Sequence, residues 1–525
     1  MSVPNNEAYD LFVVGGGING AAVACDASDR GLRVALAEMQ DFAEGTSSRS
    51  SKLIHGGLRY LETYDFKLVR DALLEREILM RRTPHLVWPL RLVLPYVEGK
   101  RPRWFIRLGL LFYDYLAPRK VLQATEAIDL RHHPAGEALK LNCRHAFAYS
   151  DCRGDDARLV IANLLGAERN GAKILPRYRF IAATREGDLW RILLEEMGAG
   201  TQLTIMSRAL VNAAGPWVVD VAGRMNVPVR RKLRLVRGSH IVVPRQWRGD
   251  HGYFLQTRDG RLMEAFPYEG DFTLIGTTDE PWDEAPERVA ISAKEIDYML
   301  AEVNAFLRNP VAPADIVWSY SGVRPLFETG GGRDGDLSTL TRDYSFEIDH
   351  AEGQAPVLTV FGGKLTTHRR LAEHAMQMLC AVMPWPAASP SQAAVLPGGE
   401  FGPSGLQGYR AALRSRLPWL PEMQANRYVQ LYGTRADELL RGAAELADLG
   451  PLFGADLYRR EVDFLRLTEW AVTADDIVWR RTKLGLRLSP VEVESLASYL
   501  KDTAIHNRGE LSHDRSLLLD DPERP

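Results

Sequence analysis

The sequence lacks several features that would by themselves assign a function. Its 525 residues contain only four cysteines, which are widely scattered and form no C-x-x-C pair: Cys25, Cys143, Cys152 and Cys380. That spacing argues against a disulfide framework, and we expect unpaired thiols in a reducing compartment. The pair His132-His133 lies in a polar loop without carboxylates at ligand spacing, so we expect no bound metal.

Strong net charge and long apolar runs are also missing. The net charge is only −3 and no run of like charge is long, which gives no support for nucleic-acid binding. No apolar stretch reaches membrane-spanning length, and the first residues lack the basic start and apolar core of a cleavable signal. We therefore expect a protein kept in the cytosol, where it can still lie on a membrane surface. Its length predicts two or three lobes.

The stretch Tyr9–Glu38 carries the strongest signal in the chain. A short apolar run, Leu11–Val14, leads into Gly15-x-Gly17-x-x-Gly20 and then into small residues at helical spacing, which predicts strand, tight turn and helix. The first glycine permits the turn, the second lets a pyrophosphate approach the backbone, and the third lets helix and strand pack closely. A second apolar run ends in Glu38, where such a unit places the acid that binds an adenosine ribose. The stretch predicts a dinucleotide site, without separating FAD from NAD.

The residues after Glu38 favour FAD. A hydroxyl-rich loop, Gly45–Ser51, supplies donors and flexible backbone that a NAD enzyme does not need. A second strand, glycine turn and helix unit is predicted from strand Val357–Val360, the pair Gly362-Gly363 and a helix Lys364–Cys380. The N-terminus of that helix would stabilise negative charge on a reduced flavin ring.

Periodicity and turn signals predict the other main elements. They are helices over Asp65–Arg82, Ala157–Asn170 and Ala293–Leu307, an antiparallel meander over Phe180–Ala213, strands at Ser239–Pro244, Tyr253–Gln256, Glu264–Pro267 and Phe272–Asp279, and helices from Gly399 onward.

The segment Arg81–Lys120 has an unusual composition. Arginines and lysines alternate there with tryptophan, phenylalanine, tyrosine and leucine, and few acids balance them. Aromatic rings among acyl chains and arginines at anionic headgroups are typical of a segment that lies in a membrane interface. A packed helical hairpin with a solvated basic face is the alternative interpretation.

Seven motifs in order carry a family resemblance. They are Gly15–Gly20, Thr46–Ser51, Ser51–Glu62, Gly238–Pro244, Ile275–Asp279, Tyr320–Pro325 and Phe361–Thr367. Together they resemble the FAD-dependent glycerol-3-phosphate dehydrogenase family, most closely its bacterial aerobic respiratory members, over nearly the whole chain. One departure is His368, where the family usually has tyrosine; its expected effect is on local packing or redox tuning and not on the reaction class.

The resemblance implies an α/β fold with three parts. A glutathione-reductase-like, Rossmann-type FAD domain is joined to an antiparallel-sheet substrate domain, and a C-terminal all-helical cap follows. The oxidoreductase part would span residues 1–385, with FAD-binding portions at about 1–80, 145–230 and 340–385 and substrate portions at about 81–144 and 231–339. A linker would span 386–399 and the helical domain 400–525.

The resemblance also implies the reaction and its setting. It implies oxidation of sn-glycerol 3-phosphate to dihydroxyacetone phosphate, with electrons passing through FAD to ubiquinone or menaquinone. The enzyme would be monotopic, attached peripherally to an anionic membrane surface at the cytoplasmic face of the inner membrane, and a homodimer is possible.

The resemblance assigns residues to roles. His240 and Arg324 are the catalytic candidates, and the substrate-binding candidates are Arg59, Tyr60, Arg342 and Lys364. The FAD-binding candidates are Gly15, Gly17, Asn19, Gly20, Glu38, Thr46, Ser47, Ser51, Lys52, His55, Gly56, Gly57, Ala214, Gly215, Gly362, Gly363, Lys364, Leu365 and Thr366.

Chemistry supports two of these roles. A phosphate dianion needs cations, preferably forked guanidinium groups, and Arg324 lies between Gly322 and Pro325 in an otherwise apolar context. Removal of the proton from an alcohol suits a base with pKa near neutrality, which favours His240, although a core histidine would look the same in the sequence. For His55 we expect contact with the flavin or its phosphates.

Three alternatives stay open. The same motifs occur in glycerol-3-phosphate oxidases, which pass electrons to oxygen, whereas the basic aromatic segment favours a membrane quinone. An amino-acid oxidase or dehydrogenase of the same fold would need one arginine for a carboxylate rather than a cluster of cations. A non-catalytic flavin-binding or regulatory protein would have no use for a base and a phosphate clamp.

Overall fold

A computed structural model describes residues 8–61, 65–97, 101–328, 340–341, 343–388 and 391–506. Its strands, in chain order, are β1 Tyr9–Val14, β2 Val34–Glu38, β3 Leu53–Ile54, β4 Val87–Pro95, β5 Glu126–Asp129, β6 His145–Gly154, β7 Lys173–Pro176, β8 Tyr178–Glu186, β9 Leu189–Glu196, β10 Gln202–Asn212, β11 Leu233–Pro244, β12 Gly252–Gln256, β13 Leu262–Tyr268, β14 Phe272–Gly276, β15 Glu280–Pro281, β16 Trp318–Glu328, β17 Leu340–Thr341, β18 Tyr344–Asp349, β19 Val357–Gly362, β20 Leu452–Gly454 and β21 Leu457–Tyr458.

The helices are α1 Ile18–Asp29, α2 Phe66–Arg82, α3 Arg103–Tyr115, α4 Asp156–Arg169, α5 Val218–Gly223, α6 Ala293–Asn304, α7 His368–Cys380, α8 Gly405–Arg416, α9 Glu422–Tyr432, α10 Ala436–Leu439, α11 Arg459–Glu469 and α12 Pro490–His506. Short side chains cap several of them, as the sequence of each start predicts. Asp155 accepts a hydrogen bond from the backbone of Arg158 at the start of α4, and Ser292 and Glu295 form a capping box at α6.

The first sheet has the strand order β18-β19-β10-β1-β2-β7, and β8 and β9 extend it from β10. Strand β1 pairs in parallel with both β2 and β10, and β10 pairs in parallel with β19. Helices α1, α4 and α7 cover one face of this sheet, where Val13, Ala24 and Leu371 belong to the same core. Because β1 is central and parallel, its carboxyl end delivers the glycine turn to the edge where ligands of such sheets bind. The predicted strand, turn and helix over Tyr9–Glu38 is confirmed.

The second sheet has the order β17-β16-β11-β14-β13-β12-β4-β6-β3, with β15 beside β11 and β5 beside β6. Successive side chains of β11 face opposite sides. Ile241 packs in the core that contains Met299 of α6, whereas Val242 packs in the core that contains Tyr113 of α3. This sheet is therefore covered on both faces, which explains why its strands read as nearly continuous apolar runs.

The C-terminal region from Gly399 has its own apolar core, which includes Tyr428, Leu465 and Ile477. The prediction that it is helical is confirmed, with one correction: β20 and β21 form a short hairpin. A turn at Gly454–Asp456 permits it, since Gly454 and Ala455 both have positive φ. A π-helical turn, Asp476–Arg481, lies between α11 and α12.

Two other expectations differ from the structure. Strand β6 falls inside the predicted FAD-binding range 145–230 but pairs with β4 in the second sheet. In its described part the segment Arg81–Lys120 contains strand β4 and helix α3, which contradicts the alternative interpretation as a helical hairpin. The assignment of whole ranges to domains stays a prediction. In the described ranges, no helix is both long and apolar enough to cross a bilayer.

Candidate active site

A cavity of about 510 Å³ lies between the two sheets. Its lining includes most of the residues that the sequence analysis assigned to FAD: Gly15, Gly17, Asn19, Glu38, Thr46, Ser47, Ser51, His55, Ala214, Gly215, Gly362, Gly363, Lys364, Leu365 and Thr366. These residues come from four separate chain segments. The volume and the mixture of apolar wall with a few polar groups suit a cofactor site.

The glycine turn forms one end of this cavity. Gly15 has φ +106°, and a Cβ there would lie 2.7 Å from the carbonyl oxygen of Ala213. Gly17 precedes the first turn of α1, whose N-terminus faces the cavity and favours negative charge. The backbone here is therefore open to a pyrophosphate in the way the glycine spacing predicts.

Glu38 ends β2 beside that turn. One carboxylate oxygen accepts a hydrogen bond from the amide of Gly16 at 2.7 Å, and the other accepts one from the amide of Gln40 at 2.9 Å. Burial raises the pKa of this carboxyl group above its ordinary value. The two amides fix the side chain at the edge of the cavity, where the remaining acceptor positions can meet ribose hydroxyls.

The hydroxyl-rich loop forms the middle of the cavity wall. Ser47 Oγ accepts a hydrogen bond from the amide of Ile18 at 2.9 Å, and Thr46 Oγ1 donates to the carbonyl of Val323 at 2.6 Å. The loop therefore joins the first sheet to the second. Asn19 donates to the carbonyl of Gly362 at 2.9 Å, while its buried Oδ1 has no protein partner. That acceptor, together with the open glycine backbone, fits a bound cofactor that brings donors.

The second glycine turn forms the other end of the cavity. Gly362 and Gly363 have φ of +70° and +103°, and Lys364, Leu365 and Thr366 follow them along the wall. The predicted helix Lys364–Cys380 begins later than expected, because a 3-10 turn, Leu365–Thr367, precedes α7. Backbone amides of this turn, rather than of the α-helix itself, are nearest the cavity.

Arg324 also lines the cavity. Its Nη1 pairs with the carboxylate of Asp279, and its Nη2 donates to Thr277 Oγ1 at 2.9 Å. Close packing against Gly238 leaves no room for another side chain there, because a Cβ on Gly238 would lie 2.3 Å from Arg324 Nη2. The guanidinium group is thus held in one orientation and is well placed to bind an anion.

His240 lies behind the cavity wall. Its ring is 1% exposed, stacks on Tyr320 with centroids 4.8 Å apart, and faces Gly276 across the sheet. Its Nε2 is 3.0 Å from Ser51 Oγ, and Nδ1 has no protein partner. Burial first, then the charges of Arg324 and Lys52, hold the pKa of His240 well below its ordinary range. The ring is neutral and reaches the cavity through the Ser51 hydroxyl.

Four FAD candidates do not line the cavity. Lys52 is buried in an ion pair with Asp156, with Nζ 2.8 Å from Oδ2. Gly20 serves packing, since a Cβ there would lie 1.9 Å from the carbonyl oxygen of Gly15. Gly56 packs against Leu73 and donates its amide to Tyr113 OH at 2.8 Å, and Gly57 supplies a positive φ of +77°. These four residues therefore support the cavity wall from behind and do not face the cavity.

Three substrate candidates have side chains outside the described part of the structure. Arg59 and Tyr60 lie on the 3-10 turn Leu58–Leu61, but their side chains fall outside the described part of the structure. Arg342 lies outside the described residues altogether. Their roles stay predictions.

Arg49 and Glu264 are among the cavity-lining residues that the sequence analysis did not assign. Arg49 donates to the carbonyl of Ser321 at 3.1 Å, and burial lowers the pKa of its guanidinium group. Its place inside the hydroxyl-rich loop was the signal that could have identified it. Glu264 pairs across β13 and β14 with Gly276, which in turn pairs with His240, so both side chains share one face. No short motif marks Glu264.

His368, the departure from the family pattern, is fully buried at the start of α7. Its Nδ1 is 2.7 Å from the carbonyl of Leu365 and its Nε2 is 3.5 Å from Asn163 Nδ2. Burial lowers its pKa to about 4, so it is neutral at physiological pH. It does not line the cavity but contacts Leu365, which does.

The fold and the cavity define an FAD-dependent oxidoreductase. Residues 10–369 match the family model described as FAD dependent oxidoreductase. The chain is 47% identical to D-erythritol 1-phosphate dehydrogenase of Brucella abortus, covering 93% of this chain and 96% of that one. It is 46% identical to glycerol-3-phosphate dehydrogenase of Pseudomonas aeruginosa, covering 96% and 97%.

A solved structure shares the whole architecture. The glycerol-3-phosphate dehydrogenase of Bacillus halodurans, solved in complex with FAD, superposes with a TM-score of 0.74 and 26% identity over 98% of this chain and 94% of that one. The chain belongs to the FAD-dependent glycerol-3-phosphate dehydrogenase family. Its cofactor is FAD, and the predicted family, fold and cofactor are confirmed.

Proposed function

We propose that the enzyme oxidises sn-glycerol 3-phosphate to dihydroxyacetone phosphate. The C2–H bond breaks with transfer of a hydride, the hydroxyl proton leaves to a base, and a C2 carbonyl forms. FAD, held by the glycine turns and the hydroxyl-rich loop, supplies the hydride acceptor. The observation that supports this proposal best is the fixed guanidinium group of Arg324, which lines the same cavity as Lys364 and Ser51.

Arg324 and Lys364 bind the phosphate dianion in this proposal. A guanidinium group fixed by Asp279 keeps two donor nitrogens in a plane, which matches phosphate oxygens, and a lysine adds a point charge. Arg49 adds a third cation to the same wall. Such a set of cations suits a phosphate better than the single carboxylate of an amino acid.

Ser51 and His240 take the proton. Because His240 is buried and neutral, the proton of the C2 hydroxyl passes to Ser51 Oγ while the Ser51 proton passes to Nε2. The positive charge then formed on the ring is opposed by Arg324 and Lys52, so the imidazolium ion gives up its proton to solvent through the Ser51 hydroxyl after product leaves.

A second substrate has a specific observation in its favour. The relative from Brucella abortus, at 47% identity, is named for D-erythritol 1-phosphate. That compound, like glycerol 3-phosphate, is a polyol monophosphate, so Arg324 would bind either. The values of kcat/KM for the two compounds decide between them. A higher kcat/KM for sn-glycerol 3-phosphate supports the proposed substrate, and a higher kcat/KM for D-erythritol 1-phosphate overturns it in favour of D-erythritol 1-phosphate.

We further propose that electrons leave to ubiquinone or menaquinone at the cytoplasmic face of the inner membrane. Helix α3 supports membrane contact. Trp104 is 67% exposed and Leu108 57% exposed, and Phe105, Phe112 and Tyr115 extend the same apolar surface. Arg103 and Arg107 on this helix can meet anionic headgroups. If a quinone is the electron acceptor, the reduced enzyme should reduce a quinone analogue faster than it reduces oxygen. Light scattering measures the molar mass in solution and so tests the predicted homodimer.

A further inference from the structure

The π-helical turn Asp476–Arg481 belongs to the C-terminal region and does not line the FAD cavity. It nevertheless holds two segments that do. One is the loop 39–44, which follows Glu38, and the other is the start of β8, where Tyr178 and Phe180 line the wall. Both segments lie at the end of the cavity where Glu38 is placed to bind ribose.

Arg481 makes the closest of these contacts. Its side chain is 0% exposed, and its Nη1 and Nη2 donate to the two carboxylate oxygens of Asp41 at 2.8 and 2.9 Å. Arg480 pairs with the same carboxylate and lies 3.6 Å from Glu44. A bidentate pair buried on both sides fixes its partners in one geometry. Asp41 is therefore fixed by two arginines of the C-terminal region.

Trp470 supports the neighbouring residue. Its ring meets the ring of Phe42 edge to face, with centroids 5.3 Å apart. Phe42 in turn packs on the glycine turn, because a Cβ on Gly16 would lie 2.5 Å from Phe42 Cδ1. The amide of Ala43 donates to the carbonyl of Gly16 at 3.2 Å. Packing thus continues from the C-terminal region to the backbone that faces the pyrophosphate.

Asp476 holds the second segment. Its carboxylate accepts two hydrogen bonds from Arg177 Nη2, at 3.0 and 2.8 Å, and one from Arg480 at 2.6 Å. The amide of Arg177 donates to the carbonyl of Gln40 at 3.3 Å. The two cavity-lining segments are consequently joined to each other and to one turn.

We propose that the turn Asp476–Arg481, with Trp470, is a positioning element that keeps the loop 39–44 in the shape that FAD binds. A loop that is ordered beforehand loses less conformational entropy when ligand binds. The C-terminal region therefore sets how long FAD stays bound. This role depends on the cofactor and not on which polyol phosphate is oxidised.

The test measures FAD release from the full-length holoenzyme after dilution, followed by the rise in flavin fluorescence. Asp41→Asn and Arg481→Gln should each speed release about tenfold or more, and the double variant should be no faster than the faster single variant. Arg169→Gln is the matched control. It breaks a 2.8 Å ion pair with Glu400, which also joins the C-terminal region to the rest but contacts no cavity segment, and release should stay within about twofold.

Two further measurements distinguish positioning of the loop 39–44 from a general loss of protein stability. With excess FAD, the variants should recover kcat, and KM for the polyol phosphate should not change. Trp470→Leu leaves the buried charges intact and should also speed FAD release. This variant replaces Arg481→Gln in the test if Arg481→Gln does not fold. Release rates within about twofold of the wild type in Asp41→Asn and Trp470→Leu would overturn the proposal, as would single effects that multiply in the double variant.

Discussion

Ser51 Oγ lies 3.0 Å from Nε2 of His240, and only the serine faces the cavity. The histidine that chemistry favours as base is therefore one hydrogen bond removed from the substrate. Tyr320, stacked on the ring, also donates to the carbonyl of Ser50 at 2.8 Å and so holds the serine backbone and the imidazole together. The pair is a fixed unit within the wall.

This unit predicts that Ser51→Ala slows flavin reduction nearly as much as His240→Asn does. Both variants remove the same proton path, and general base catalysis contributes about 10²–10⁴-fold. Stopped-flow reduction under anaerobic conditions measures the rate, and FAD content shows that the cavity is intact. Ser48→Ala, on the same loop but away from the cavity lining, is the control. A wild-type rate in Ser51→Ala with a slow His240→Asn would contradict the path.

Removal of the forked cation should weaken substrate binding. Arg324→Lys keeps the charge but loses the fixed pair of donors, so KM for the polyol phosphate should rise about tenfold or more, equivalent to about 1.4 kcal/mol. Asp279→Asn, which frees the guanidinium group, should have a smaller effect in the same direction. Arg258→Lys, at an exposed arginine, should leave KM unchanged. An unchanged KM in Arg324→Lys would remove Arg324 from the phosphate site.

Gly20 should tolerate no side chain. In Gly20→Ala the new Cβ would lie 1.9 Å from the carbonyl oxygen of Gly15, so α1 must move away from β1 and the turn must open. The purified variant should contain little FAD. Gly109→Ala, on α3 where nothing lies within 4 Å, should keep FAD and gain up to about 1 kcal/mol in unfolding free energy. Full FAD occupancy in Gly20→Ala would show that close packing is not required.

Acid should destabilise the fold through buried neutral histidines. Burial lowers the pKa of His85 to about 3 and that of His368 to about 4, and holds that of His240 well below 6.5. Between pH 6.5 and these folded values the unfolded chain binds more protons, so stability falls as pH falls, by about 1.4 kcal/mol per histidine per pH unit.

Urea unfolding midpoints at a series of pH values below 6.5 measure this loss. His85→Gln should flatten the dependence by the contribution of one histidine. Equal slopes in wild type and His85→Gln would show that His85 titrates alike in both states.

The exposed surface of α3 should bind lipid. The double variant Trp104→Ser, Leu108→Ser removes two large apolar side chains that are exposed, each worth about 1.5–3 kcal/mol when buried, so co-sedimentation with phosphatidylglycerol vesicles should weaken at least about tenfold. Leu141→Ser, which removes an exposed leucine elsewhere, should have no effect. Equal binding of all three proteins would place membrane contact on another surface.

Short-range pattern predicted the parts of the site that short segments build. The glycine spacing from Gly15 to Gly20, the acid at Glu38 and the hydroxyl-rich loop each depend on a few neighbouring residues, and each lies where expected. The family resemblance assigned Lys52 to FAD, whereas its side chain forms a buried ion pair. Its partner, Asp156, is 104 positions away in the sequence, and no local sequence pattern predicts that ion pair.

The other features of the site depend on contacts between residues that are far apart in the sequence. The burial of His240 depends on Tyr320 and Gly276, which β16 and β14 bring beside it. The contact between Asp41 and Arg481 joins residues 440 positions apart. Such contacts follow from topology, which residue types and spacing do not encode locally.

Anaerobic mixing of the purified flavoprotein with sn-glycerol 3-phosphate tests the central claim most directly. The account predicts that sn-glycerol 3-phosphate rapidly bleaches the absorbance of the oxidised flavin. The absorbance should then return rapidly when a quinone analogue is added and slowly in air. Rapid return in air with formation of peroxide would mean an oxidase. Absence of bleaching by sn-glycerol 3-phosphate in a fully flavinated sample would contradict the proposed reaction.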